Sequence, residues 1–193
     1  MQVILKRSLY FTQIGFGIIS KNKSISNKYI LVILNSLLIN FYHKYMYLDL
    51  EKDLFQKILI ANCKKLPIKE ISLQEQQPFI EKADKMLFLN KNLQELSQKF
   101  QRLLTRKFEL EKLTTKLQDW YLLDFLEFTK ELKKAKIKLS LKEEIEWEEI
   151  FLEKKEEVEK VKNEIEMTDK EIDGMVCELY GLSEEEVRVV EKS

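Results

Sequence analysis

The sequence predicts an α+β fold that is mostly α. A small mixed α/β front domain built around one buried helix (1–84) precedes a long antiparallel, coiled-coil-like helical hairpin with a C-terminal helical segment (85–193). Three observations carry that prediction. The 193 residues include only four Gly and two Pro, too few breakers for an all-β sandwich. The first 20 residues and the stretch 55–61 hold short apolar runs with β-branched or aromatic members, which read as strands. From Met86 onward, apolar residues recur at alternating three- and four-residue steps, a heptad seam.

Residues 1–5, Tyr10-Phe11 and 16–19 are the front strand material, with Gly15 and Gly17 permitting a bend or a bulge. Residues 21–26 form a polar turn, and Ser26 or Asn27 can cap the next helix by accepting a bond from an unpaired amide. That helix is expected over about 28–44. Its residues Ile30, Leu31, Ile33, Leu34, Leu37, Leu38 and Phe41 cover most of the circumference, the pattern of a helix packed on more than one side. A strand over 55–61 follows, then a polar stretch over 62–65. Leu66-Pro67-Ile68 is extended, because proline disfavours helix in the residue before it. Ser72 and Glu75 form a capping box, with Pro78 near the first turn of the helix they open.

The first seam reads Met86, Leu89, Leu93, Leu96, Phe100, Leu103, Leu110, Leu113 and Leu117, with apolar steps missing at Lys107 and Thr114. The second reads Trp147, Phe151, Val158, Val161, Ile165, Ile172 and Leu179, with Lys154, Thr168 and Met175 at the intervening positions. An aromatic-rich patch (120–128) and a Lys-rich turn (133–138) lie between them, and Ser140 with Glu143 opens the second arm. Arms of about 30 residues would each be roughly 45 Å long. Gly181 ends a helix through a left-handed residue, and Ser183 with Glu186 caps a short last helix from Glu184 to about Glu191.

Composition excludes several functions. Cys63 and Cys177 form no spacing motif and read as reduced structural thiols of a cytoplasmic protein. With one histidine, His43, and no placed nucleophile, neither a metal site nor a catalytic site is expected, and no cofactor. The apolar run 29–42 is interrupted by Asn35, Ser36 and Asn40 and falls short of the ~20 residues of a spanning helix, so no membrane partner is expected. Charge is split: residues 1–70 hold eleven Lys/Arg against four Asp/Glu, a net of +7, and the remainder holds 22 against 29, a net of −7. A basic front and an acidic back suggest two jobs.

Three segments resemble one family, the TaqI-like C-terminal specificity domains of type II adenine methyltransferases and fused restriction enzymes. Ile33-Leu34-Asn35-Ser36 is similar to the family's "LNS" helix. Leu66-Pro67-Ile68 resembles its "LPIP" stretch, with Lys69 in place of the second proline, followed by Gln76/Gln77 and a helix through Ala83-Asp84. Residues 172–187 resemble its closing "ID..VY.LYGL(T/S)EEE(I/V)" segment, with Cys177 where Tyr is common. The resemblance implies a mixed α/β domain that reads a short DNA sequence, followed by helices that dock or space it. It implies double-stranded DNA as a partner, together with a methyltransferase catalytic domain or subunit that binds S-adenosylmethionine and flips the target adenine. That catalytic half is not in this sequence: Pro67 and Pro78 are isolated where the methyltransferase loop needs adjacent prolines, and no Gly-rich cofactor turn is present.

The expected DNA contacts are therefore on the basic front. Lys21, Lys23, Lys28, Lys44, Lys64 and Lys65 are candidates for phosphate contact, and Asn22 and Asn62 for pairing with adenine edges. Asn35 and Ser36, inside an apolar helix, read as internal hydrogen-bonding groups. The alternative is a non-enzymatic coiled-coil interaction module, which the acidic, heptad-rich back permits; the same seams would allow a homodimer.

Overall fold

In a computed structural model of the chain, the structure describes residues 18–48 and 59–193. Among these there is no strand, and the elements are helical: α1 (Asn27–Asn35), α2 (Leu37–Tyr47), α3 (Ile60–Cys63), α4 (Leu73–Lys107), α5 (Thr115–Gln118), a 3₁₀ turn (Trp120–Leu122), α6 (Phe125–Lys134), α7 (Leu141–Tyr180) and α8 (Glu184–Glu191). The expected mixed α/β front is thus overturned. The strands expected in the first 17 residues and at 55–58 lie outside the described residues. Ile60 and Ala61, assigned to the end of a strand, instead open the helical turn α3, because a short apolar run does not by itself distinguish helix from strand.

The segment after Leu66, expected to be extended, lies outside any helix or strand through Ser72. Side chains satisfy its backbone. Tyr29 donates its hydroxyl to the Lys69 carbonyl at 2.7 Å, and Lys69 N donates to the Tyr180 hydroxyl at 3.0 Å. Tyr180 in turn donates to the Pro67 carbonyl, and Gln76 Nε2 donates to the Ile71 carbonyl at 3.0 Å. With these backbone groups bonded by side chains, the segment needs no strand partner.

The single core helix expected over 28–44 is two helices. Ser36, at φ −62° and ψ 151°, is extended and serves as C-cap of α1 and N-cap of α2. Its hydroxyl donates to the Ile33 carbonyl and accepts from Ile39 N, while Asn35 Nδ2 bonds the Leu31 carbonyl and Asn40 Nδ2 the Asn35 and Ser36 carbonyls. Asn35 and Ser36 are internal hydrogen-bonding groups.

The chain divides into two units, one of residues Met1–Leu87 and Met167–Ser193, the other of Phe88–Glu166. α4 and α7 each contribute to both. The core of the first unit comes from Tyr29, Val32, Ile33 and Leu34 of α1, Ile39, Leu66, Phe79 and Ala83, closed by Ile172 and Val176 of α7. Tyr29 meets Phe79 edge-on, with centroids 5.5 Å apart.

In the second unit α4 and α7 run antiparallel, since Phe100 touches Phe151 while Phe108 touches Trp147. The connecting stretch is not a bare turn. α5, the 3₁₀ turn and α6 deliver Leu117, Trp120, Phe128 and Leu132 into one core with Phe100, Leu104, Trp147, Phe151 and Val158. The first seam stops short of its expected end: α4 closes at Lys107, and Leu110 and Leu113 lie outside any helix. The buried face of α4 also departs from the heptad. Ser97, Phe100 and Leu104 are buried, whereas Leu96 and Leu103 are half-exposed. Trp120 explains the rotation, because its indole occupies this face and donates Nε1–H to the Ser97 carbonyl at 3.3 Å.

Candidate nucleic-acid interface

The basic front is organised by side-chain caps. Asn22 Oδ1 accepts from Ser24 N at 2.9 Å, and the Asn22 carbonyl accepts from Ile25 N at 3.1 Å and Ser20 Oγ at 2.9 Å. Asn27 Oδ1 accepts from Ser20 N at 3.0 Å, and Ser26 caps α1 by accepting from Lys28 N at 3.2 Å. The whole turn is anchored by Gln76, which has no exposure. Its Oε1 accepts from Ser26 N at 2.9 Å and its Nε2 donates to the Ser24 carbonyl at 2.7 Å. On this anchored turn Lys21 and Lys23 flank Asn22, exposed and with no partner among the described residues.

A second basic pair sits at the end of α3. Asn62 is half-buried there, its amide bonded to the Leu59 carbonyl and its carbonyl to Lys65 N, each at 3.0 Å. Lys64 is the C-cap, and Lys64 and Lys65 are both exposed without a partner among the described residues. The other two lysines are engaged. Lys28 Nζ lies 2.6 Å from Asp84 Oδ2. Lys44 Nζ donates to the Ser193 carbonyl at 2.7 Å and lies 5.4 Å from the Tyr45 ring centroid. Of the six lysines, then, Lys21, Lys23, Lys64 and Lys65 present open ammonium groups, and the Asn22 side chain is engaged within its own turn.

His43 is buried against the Tyr47 ring, with Nε2 unbonded among the described residues, and burial lowers its pKa. The Cys63 and Cys177 thiols are both free, and burial pushes both pKa values up, away from the thiolate a nucleophile needs. No group of His, Cys, Asp and Glu among the described residues is placed to hold a metal ion, and no helix among them is long and apolar enough to cross a membrane.

The three family-like segments meet in the first unit, and the bonds show what they do. Asp173, from the closing segment, accepts from Leu37 N beside Ser36 of the "LNS" segment. Tyr180, also from the closing segment, holds both Pro67 and Lys69, and Lys69 Nζ donates to the Leu179 carbonyl at 2.5 Å, near the end of α7. These residues lock the unit together and leave the lysines to face outward. Sequence reading assigned Asp173, Tyr180 and Gln76 no bonding role; their partners are remote in the chain, and no local spacing announces them.

Comparison with protein families gives two adjacent matches. Residues 3–68 match the TaqI-like C-terminal specificity domain, in which 18–48 and 59–68 are described. Residues 72–176 match a family described as a domain of unknown function (DUF8810). No curated protein and no solved structure matches the chain. The second match covers more than half of the sequence, and so the chain belongs to the DUF8810 family, with a TaqI-like C-terminal specificity domain in front of that region.

Proposed function

We propose that this chain is the DNA target-recognition part of a type II restriction-modification adenine methyltransferase, with the methyl-transfer chemistry on another domain or subunit. The observation that carries this reading is the specificity-domain match over 3–68. The outward lysine pairs Lys21/Lys23 and Lys64/Lys65 support it, because ammonium groups on anchored loops are suited to phosphate oxygens. On this reading the chain alone transfers no methyl group and cleaves no DNA.

The test is binding of the full chain to duplex DNA across a salt series. Affinity should fall by about 0.9 log unit per log unit of salt for each phosphate neutralised. Replacing Lys64 and Lys65 by Glu should weaken binding to every sequence alike, whereas Lys133 and Lys138, exposed on the second unit, should be replaceable without effect. Loss of binding from the second pair and not the first would sink the reading. The alternative, a non-enzymatic interaction module, draws its support from the self-contained aromatic core within the DUF8810 region.

A further inference from the structure

The rotation of α4 that buries Leu104 leaves Leu96 and Leu103 on the wall of an open groove of about 700 Å3 within the second unit. Lys99, Arg102 and Arg106 line the same wall, spaced at helical intervals of three and four residues over about 10 Å. All three are exposed, and none has an ion-pair partner among the described residues. On the opposite wall, on α7, Lys154 lies 2.8 Å from both Glu153 and Glu157, one cation shared by two carboxylates. The groove is therefore apolar at Leu96, Phe100 and Leu103, positive along the α4 side and left with one excess carboxylate along the α7 side.

We propose that this groove docks an acidic amphipathic helix of a partner polypeptide. Its apolar stripe lies on Leu96 and Leu103, and carboxylates on one flank meet Lys99, Arg102 and Arg106. Charge complementarity and one-sidedness select this occupant. Carboxylates spaced at three and four residues on a partner helix match the α4 cations turn for turn. An apolar stripe on that helix removes the leucine faces from water, as in other helix-in-groove contacts. A nucleic-acid strand fits less well, because its phosphates would approach Glu157 on the other wall and would leave Leu96 and Leu103 without an apolar partner. The proposal does not depend on the front unit reading DNA.

The experiment uses the full chain and a fluorescently labelled synthetic helix of about four turns. The helix carries Leu at three- and four-residue spacing and Glu along one flank. A scrambled peptide of the same composition and a short DNA duplex are the comparison probes. The patterned peptide should bind, and affinity should fall with salt. The Arg102→Glu/Arg106→Glu double variant should bind about tenfold or more weakly, with an unchanged far-ultraviolet circular dichroism spectrum. A peptide with Lys in place of the flank Glu should recover binding to that double variant. Leu103→Ala, at a half-exposed position, should weaken the patterned peptide several-fold. Absence of binding by the patterned peptide, or equal binding of the scrambled one, overturns the proposal. Duplex binding that depends on Arg102 and Arg106 also overturns it and makes the groove a nucleic-acid surface.

Discussion

Asp173 Oδ1 accepts a hydrogen bond from Leu37 N at 2.7 Å, across 136 residues of sequence. This bond, with the Ser36 hydroxyl accepting from Ile39 N, pairs two of the first amides of α2 where the apolar helix breaks in the core. Asp173→Ala should therefore cost about 1–2 kcal/mol, the range for a lost N-cap, as read from urea unfolding. Burial is the largest influence on this carboxyl and raises its pKa, with Asp169 and Glu191 adding to it. A raised carboxyl binds its proton more tightly in the folded state. Its contribution is thus fully present below the unfolded pKa of about 3.9 and is lost as pH rises through the folded value. Asp173→Asn keeps the acceptor without the charge, and the variant should be at least as stable as the parent at neutral pH. An Asn variant as damaged as the Ala variant would show that the charge itself is required.

Gln76 is the second long-range tie. It is fully buried and makes three bonds, to Ser26 N and to the Ser24 and Ile71 carbonyls. Gln76→Ala would strand these backbone groups, at a cost of about 2–4 kcal/mol. Gln76→Glu should be no better, since a carboxylate cannot donate to the two carbonyls. Wild-type stability in the Glu variant would contradict the assigned amide orientation.

Among the described residues three helices end on left-handed residues, and one of these three is glycine. Gly181 has φ +72°, with Leu182 N bonded to the Cys177 carbonyl. Glu109 (φ 50°) and Lys136 (φ 64°) occupy the equivalent position after α4 and α6, where Leu110 N and Ile137 N reach back to the Thr105 and Leu132 carbonyls. Left-handed backbone costs an ordinary L-residue roughly 1–2 kcal/mol. After the larger unfolded-state entropy of glycine is subtracted, Glu109→Gly and Lys136→Gly should each stabilise by about 0.5–1 kcal/mol. Gly181→Ala should destabilise by about 1 kcal/mol or more, and thermal unfolding of the three variants separates the two signs.

Leu104 and Leu103 are adjacent but face different surroundings: Leu104 has no exposure, while Leu103 lines the groove. Leu104→Ala should cost about 2–5 kcal/mol, the range for a large-to-small core change, and Leu103→Ala about 1 kcal/mol or less. Reversed magnitudes in chemical denaturation would restore the heptad register and discard the rotated face.

What the sequence by itself determined is local. Ser26, Ser72 with Glu75, Ser140 with Glu143, and Gly181 followed by Ser183 with Glu186 mark helix ends correctly, because donor and acceptor lie within a few residues. The buried side of α7, from Trp147 through Val158 and Thr168 to Ile172, is legible for the same reason, as a periodicity within one helix. The positive turns around Lys21–Lys23 and Lys64–Lys65 were also readable as composition. Tertiary structure alone decided the rest. The segment after Leu66 is held outside helix and sheet by Tyr29 and Tyr180, 40 and 111 residues from Lys69, which supply its bonds. Lys28 is removed from the open cations by Asp84, 56 residues away. Leu104 is fully buried and Leu103 only partly, because Trp120 packs on that side of α4. Each of these outcomes depends on a group whose nearness is a property of the folded chain, which no spacing within a single helix or turn can encode.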